Sequence, residues 1–443
     1  MLWLLGCISA AQAQTVDPLN NSDTQLEPIT WGDVDGWTAD DHAAAFVTFK
    51  ASCKPFLATT RIPDSRPMYG ALREVCKRAA RVGPLGSDKI KARAFFEENF
   101  RPVRVAKLGE STGLLTGYYE PIVDGSRFPN PEFHTPLYRR PRDLVAAGQN
   151  QASLAFPNRA TVGRLNEQKQ LEPYYDRGAI EAGALDGQKL EIVWIKDPFE
   201  AMSIQIQGSA RVKLEDGATL RINYDSHNGY SYTAVGRILI ERNLVPREEM
   251  SMQRIRDWMA ANPDQAPELR SMNRSFVFFR ITGLSDEGEP PGAQGVPLTP
   301  GRSIAVDKVH VYGTPFFIEA DLPIETARPN TKFRRLMVAQ DTGSAILGPA
   351  RADLYWGAGD EAGRIAGRIR HQGRFVMLLP RELDMIEAGK QMPLPLPKPV
   401  ITEEAEKANE KTNEKAKPPA KKPPKRGAPA ATVKPQARPA DGA

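Results

Sequence analysis

Between residues 293 and 380 the chain breaks into short apolar runs separated by turns that contain Gly or Pro: SIAVD at 303–307, FFIEADL at 316–322, RRLMVAQD at 334–341 and RFVMLLP at 374–380. Runs of this length, bounded by turn residues, are strands rather than helices. The block therefore has to fold as a small β domain, with one helix predicted over 361–370. Upstream, Met202, Ile204 and Ile206 alternate with Ser203, Gln205 and Gln207, which predicts a half-buried strand whose open face is a row of neutral hydrogen-bonding groups. Val212 and Leu214, then Glu215-Asp216-Gly217, then Leu220 and Ile222 predict a hairpin. Apolar spacing predicts helices over 233–242 and 248–261, and residues 275–281 return to strand. No internal repeat of 20–50 residues is visible. The fold class is α+β, with β dominating the larger part.

The first quarter reads differently. Residues 14–30 are polar and predicted to be loose, and a helical region spans 38–107. Phe46, Phe49 and Cys53 fall at helical spacing, as do Leu72, Val75, Cys76 and Ala79, so each helix turns its cysteine inward. Two packed helices presenting Cys53 and Cys76 to each other suit a disulfide; two buried free thiols are the alternative. Ahead of them, MLWLLGCISAAQAQ joins a short apolar run to small residues ending at Ala13. That pattern reads either as a signal peptide cut after residue 13 or, through Leu4-Leu5-Gly6-Cys7, as a lipoprotein signal with Cys7 lipidated. Both readings imply export. No run of about 20 apolar residues suited to a transmembrane helix occurs.

Charge separates the chain again at its other end. The 443 residues carry 59 Lys+Arg and 54 Asp+Glu, a formal charge of +5 that would suit a nucleic-acid binder. Residues 393–443 hold 11 of those basic residues, 6 of the acidic ones and 11 prolines, which leaves 48 of each sign in residues 1–392. A neutral body excludes nucleic acid as the expected partner. The Pro/Lys tail has too little apolar surface to offset its ordering entropy and is predicted to be disordered, suited to contact with anionic wall or membrane surfaces.

The chemistry-bearing residues exclude several mechanisms. The five histidines are scattered, and there is no HExxH, no GxSxG and no GxxxxGK[ST] loop, so no metal and no cofactor is expected. The aspartates say more. Asp341 precedes Thr342-Gly343, and Asp353 precedes Leu354-Tyr355-Trp356-Gly357. A carboxyl at such a strand end, near a glycine turn and aromatic rings, is placed to be desolvated and to act as a general acid. The triplet Asp341-Thr342-Gly343 also copies the aspartic protease signature, but only one copy is present where that chemistry needs two.

Ordered motifs carry a family resemblance. Thr116-Gly117-Tyr118-Tyr119-Glu120-Pro121, Thr135-Pro136-Leu137-Tyr138, Gln205-Ile206-Gln207-Gly208-Ser209, Tyr224 with Asn228-Gly229, Met250-Ser251-Met252-Gln253 and Ser275 to Phe279 resemble the membrane-bound lytic murein transglycosylase A (MltA) family. The closing block resembles its "3D" domain, named for three aspartates that here are Asp307, Asp341 and Asp353. The resemblance spans roughly 100–380.

It implies a double-psi β-barrel with an inserted β-rich domain and a groove between them. Expected boundaries are 30–110 for the helical region, 111–270 for the insert and 275–380 for the barrel. It also implies cleavage of the MurNAc–GlcNAc β-1,4 bond of peptidoglycan without water, by a monomer in the periplasm of a Gram-negative bacterium, with possible attachment to the outer membrane through Cys7. Asp353 is the expected acid/base and Asp341 its supporting carboxylate. Tyr118, Tyr119, Tyr138, Tyr224 and Trp356 are expected to offer rings to sugar, and Ser203, Gln205 and Gln207 neutral hydrogen bonds. Glu120 reads as substrate ligand or structural partner, and Asp307 as structural rather than catalytic.

Overall fold

In a computed structural model, which describes residues 23–59, 63–83, 85–146, 162–284, 287–325 and 331–383, the first element is a strand, β1 (Thr24–Pro28). A loose segment was the expectation there. Backbone pairing makes the difference: β1 runs antiparallel to β2 (Phe100–Lys107), with Thr24 opposite Lys107 and Pro28 opposite Val103. An edge strand needs only that one ladder, so its side chains can be polar. The N-terminal signal with Cys7 and the tail from residue 393 lie outside the described residues.

Three helices follow: α1 (His42–Ala58), α2 (Pro67–Arg81) and α3 (Lys89–Asn99). Asp41 and Asp88 cap α1 and α3 by accepting from the backbone N–H of Ala44 and Lys91, and Pro67 opens α2, where its missing N–H leaves nothing unpaired. Cys53 on α1 and Cys76 on α2 are joined by a disulfide, with Cα atoms 5.1 Å apart. It closes a loop with a sequence separation of 23. Replacing both cysteines by Ala should therefore cost about 3 kcal/mol in denaturant unfolding. No loss would show that α1 and α2 are fully aligned by packing alone.

The helices do not form a body of their own. Phe46, Phe49 and Phe96 share one core with Phe316, Phe317 and Met377 of the closing block. Asp40 clamps Arg302 through two hydrogen bonds of 2.7 and 2.9 Å, and the Gln340 amide donates to Ser52 Oγ at 2.7 Å.

The rest of the chain is a barrel interrupted by an insert. After β3 (Gly113–Glu120) come the strands β4 (Ile122–Gly125), β5 (Thr135–Tyr138), β6 (Leu144–Ala146), β7 (Val162–Leu165) and β8 (Leu171–Pro173). Helix α4 (Arg177–Glu181), β9 (Glu191–Ile195), α5 (Pro198–Gln207) and the hairpin of β10 (Ser209–Leu214) and β11 (Thr219–His227) follow. Next are α6 (Val235–Glu241), α7 (Met252–Ala261), α8 (Ala266–Ser271) and β12 (Val277–Gly283). The chain then returns through β13 (Ser303–Val306), β14 (Pro315–Leu322), β15 (Thr331–Asp341), β16 (Arg351–Ala358), α9 (Gly359–Ala366) and β17 (Arg370–Pro380).

Strand order β17-β14-β15-β13-β16-β3, closed by pairing of β3 with β17, makes a six-stranded barrel, and β2 and β1 extend it from β17. Parallel pairs (β13 with β15, β3 with β16) mix with antiparallel ones, in keeping with the barrel that the resemblance implies. The insert has its own sheet, β12-β11-β10-β4. By sheet membership, β3 (residues 113–120) lies in the barrel sheet and β12 in the four-stranded sheet with β10 and β11.

Residues 198–207 are a helix, not the strand their alternation predicts. Asp197 caps it by accepting from Glu200 N at 2.8 Å, Pro198 sits in its first turn, and Gly208 ends it at φ 85°. Six alternating residues are too few to separate a period of 2 from 3.6 once capping signals flank them. Helix α9 likewise stops at Ala366, and the residues expected to prolong it to 370 lead into β17.

Candidate active site

Both aspartates are placed by strand register. Ala305 on β13 pairs with Asp341 on β15 and with Asp353 on β16, Asp353 pairs with Thr116 on β3, and Thr116 with Arg370 on β17. One row across the barrel thus reads Asp341, Ala305, Asp353, Thr116, Arg370. Two strand spacings separate the aspartate backbones, about 9–10 Å. Buried Ala305 stands between them in the row.

Their hydrogen bonds differ. Asp341 is held by three donors: Oδ1 accepts from Ala293 N at 2.9 Å, Oδ2 from the Tyr118 hydroxyl at 2.9 Å, and Thr342 N adds a third bond. Asp353 accepts one bond, from the Thr116 hydroxyl to Oδ1 at 2.6 Å, and Oδ2 has no partner among the described residues. Arg351 donates to that same hydroxyl oxygen at 2.8 Å, which turns the Thr116 hydrogen towards Asp353. Arg351 and Asp353 share a face of β16 because they are two residues apart on a strand.

Burial pushes both carboxyls above the usual range. At Asp353 the Arg351 charge and the Thr116 bond pull part of the way back; at Asp341 two backbone N–H groups and Tyr118 oppose burial, and the Asp353 charge adds to it. Two buried carboxyls in one row resist being ionised together. Backbone N–H groups can only donate, so they favour the anionic form of Asp341, whereas Asp353 meets no backbone donor among the described residues and keeps one oxygen free. A folded-state pKa raised above the unfolded one makes stability fall as pH climbs from the unfolded pKa through the folded one. Asp353→Asn should therefore raise Tm at pH 7, and the gain should vanish below about pH 4, where the unfolded carboxyl is protonated too. Equal gains at both pH values would contradict the raised pKa.

The other expected site residues divide. Tyr118 lies at the centre, bonded to Asp341 and packed on Tyr355 at 5.2 Å between ring centres. Ser203 and Gln207 do not form an open row: both face Tyr119, Gln207 accepting from its backbone N–H at 3.1 Å and Ser203 hydrogen-bonding its side chain. Gln205, on the other side of α5, accepts from buried Arg177. Tyr224 presents its ring at the surface, 41% exposed. Tyr138 is buried in the insert against Phe276, and Trp356 points to the opposite face of β16 from Asp353, against Phe333. Glu120 is fully buried between Arg211 (2.7 Å) and Arg221 (3.4 Å), the geometry of a structural partner. Asp307 accepts from Val309 N and Gly348 N, tying down the loop before β16.

Sequence reasoning missed Thr116, Arg351 and a clamp at the junction of insert and barrel. Arg211 donates to Gly288 O, Arg221 to Glu287 O, and the Tyr355 hydroxyl to Glu289 at 2.5 Å. These bonds fix the segment that supplies Ala293 N to Asp341. The i, i+2 spacing of Arg351 and Asp353 was the available signal for the first pair; the clamp left none, because its members are far apart in sequence.

Two buried carboxyls in one row, one accepting three hydrogen bonds and the other with an oxygen free, form a candidate acid–base site. Residues 114–280 match the MltA specific insert domain and residues 302–379 the 3D domain. The membrane-bound lytic murein transglycosylase A of Vibrio cholerae is 32% identical over 319 residues, 70% of this chain and 74% of its own. Among solved structures, the membrane-bound lytic murein transglycosylase from Agrobacterium tumefaciens superposes with a TM-score of 0.73 at 34% identity, covering 83% of this chain and 99% of that one. MltA from Escherichia coli with bound chitohexaose gives a TM-score of 0.54 at 26% identity, over 82% of this chain and 93% of that one. This chain belongs to the MltA family of lytic murein transglycosylases.

Proposed function

We propose that the enzyme cleaves the β-1,4 bond between MurNAc and GlcNAc in peptidoglycan without water, leaving a 1,6-anhydro-MurNAc end, with Asp353 as sole acid and base. The supporting observation is the unequal hydrogen bonding of the two aspartates. Their spacing alone would suit a water between two carboxylates, as in an inverting hydrolase. Asp341, however, has both oxygens already accepting from Ala293 N and the Tyr118 hydroxyl, so it is less free than Asp353 to position a water. The nucleophile must then come from the substrate, and its own 6-hydroxyl, held close by the sugar ring, has the effective molarity to replace a second catalyst. Asp353 gives its proton to the glycosidic oxygen; the bond to C1 breaks as the 6-hydroxyl oxygen attacks C1; the Asp353 carboxylate takes the hydroxyl proton.

The bound chitohexaose of the Escherichia coli relative supports a glycan-strand substrate. The disulfide suits an oxidising compartment such as the periplasm, and the relatives' names support attachment to a membrane, although no described helix is long and apolar enough to cross one. The basic tail would add a salt-screened attraction to anionic surfaces. Digesting purified sacculi and weighing the released muropeptides tests the reading: products one water lighter than hydrolysis products, with ends that borohydride cannot reduce, are expected. Reducible ends would make the enzyme a hydrolase.

A further inference from the structure

The insert carries a second cleft, of about 500 Å3, that is separate from the aspartate row. Ser203 and Gln207 turn one face of α5 to Tyr119 and the barrel, while Ala201 and Gln205, half a turn round the same helix, line this cleft.

Its charges are unevenly partnered. Asp186 and Glu191 flank Tyr138, whose hydroxyl is pushed up to about 12 by burial and then by these two carboxylates. Neither carboxylate has an ion pair or side-chain hydrogen bond among the described residues, and neither does the Tyr138 hydroxyl, although Tyr138 is only 7% exposed. A second group lines the same cleft: Arg177, 2% exposed, and Arg270 share the single carboxylate of Glu181 at 3.3 and 3.0 Å. Arg177 donates as well to Gln205, Asn273 O and Ser275 O, all neutral, so the two guanidinium groups still face one carboxylate and leave a surplus positive charge, with Arg270 the more accessible of the two. Phe276 lies between the groups, its ring 6.2 Å from that of Tyr138 and 5.1 Å from the Arg177 guanidinium. Half-buried Trp194 adds an apolar wall.

A cleft negative at one end, positive at the other and aromatic between them complements a short zwitterion. We infer that it binds the stem peptide of the murein substrate, taking the side-chain ammonium of a diamino acid between Asp186, Glu191 and Tyr138, and a peptide carboxylate beside Arg177 and Arg270. The inference rests on the murein-cleaving reading. It gives the insert a task that the aspartate row does not supply: recognising peptide-bearing strands.

Calorimetric titration of the full chain with a synthetic alanyl-glutamyl-diaminopimelyl-alanine tetrapeptide tests it. Saturable binding is expected, weakened at least tenfold when the side-chain amine of the peptide is acetylated and likewise in Asp186→Asn/Glu191→Gln. Turnover of peptide-free glycan oligomers by that variant should stay at the wild-type level. No saturable binding to wild type, or equal binding of the acetylated peptide, would overturn the inference without needing any variant, and so would undiminished binding by the folded variant. If wild type released no muropeptides from sacculi, the murein reading itself would fail, an outcome that the peptide titration does not share.

Discussion

Asp353→Asn should lower kcat by on the order of 10³–10⁴-fold while leaving KM for glycan oligomers nearly unchanged. General acid–base catalysis contributes about 10²–10⁴-fold, and the proposed mechanism gives one carboxyl both proton transfers, which places the loss at the upper end. The amide keeps the Thr116 contact and the shape of the site, so circular dichroism should be that of wild type. In the wild-type enzyme kcat should fall as pH rises through the raised pKa of Asp353, because only the protonated form can donate. A variant that kept a tenth of its activity would mean that another group supplies the proton.

The second large effect concerns stability. Glu120 is fully buried between Arg211 and Arg221, and burial pushes its carboxyl up despite both charges. Removing one partner of a buried ion pair strands the other, at a cost of about 3–5 kcal/mol. Glu120→Ala should lose that much in denaturant unfolding. Replacing Glu120, Arg211 and Arg221 together by apolar residues should recover part of it, since no charge is left stranded, though the bonds to Gly288 O and Glu287 O are lost. Both variants should lose activity more than their folded fraction explains, because the segment held by the arginines carries Ala293 to Asp341. A Glu120→Ala loss under 1 kcal/mol would show that water reaches the arginines.

The closing block was legible in the sequence because each barrel strand is a self-contained apolar run bounded by turn residues; Asp341 does end its strand, but Asp353 sits third in β16, and the Gly357 expected to form a turn after it lies within the same strand. Barrel closure was not: the pairing of β3 with β17 joins residues more than 250 positions apart and rests on no local signal. Helix α5 was misjudged because Asp197, Pro198 and Gly208 outweigh a six-residue alternation. That error carried Ser203, Gln205 and Gln207 with it, since a strand would have placed all three on one open face and a helix turns Gln205 away. Trp356 was misplaced by one strand position, enough to move it across the sheet. The cysteines were legible because each sat on the buried stripe of its own helix.

The central claim is that the substrate, not water, supplies the nucleophile while Asp353 moves the proton. It is tested most directly by digesting sacculi in water enriched in oxygen-18 and measuring the label at the newly formed MurNAc ends. The mechanism predicts no label at that carbon for wild type and no products above background for Asp353→Asn. One oxygen-18 atom per cleavage would contradict it and assign the barrel a hydrolytic reaction.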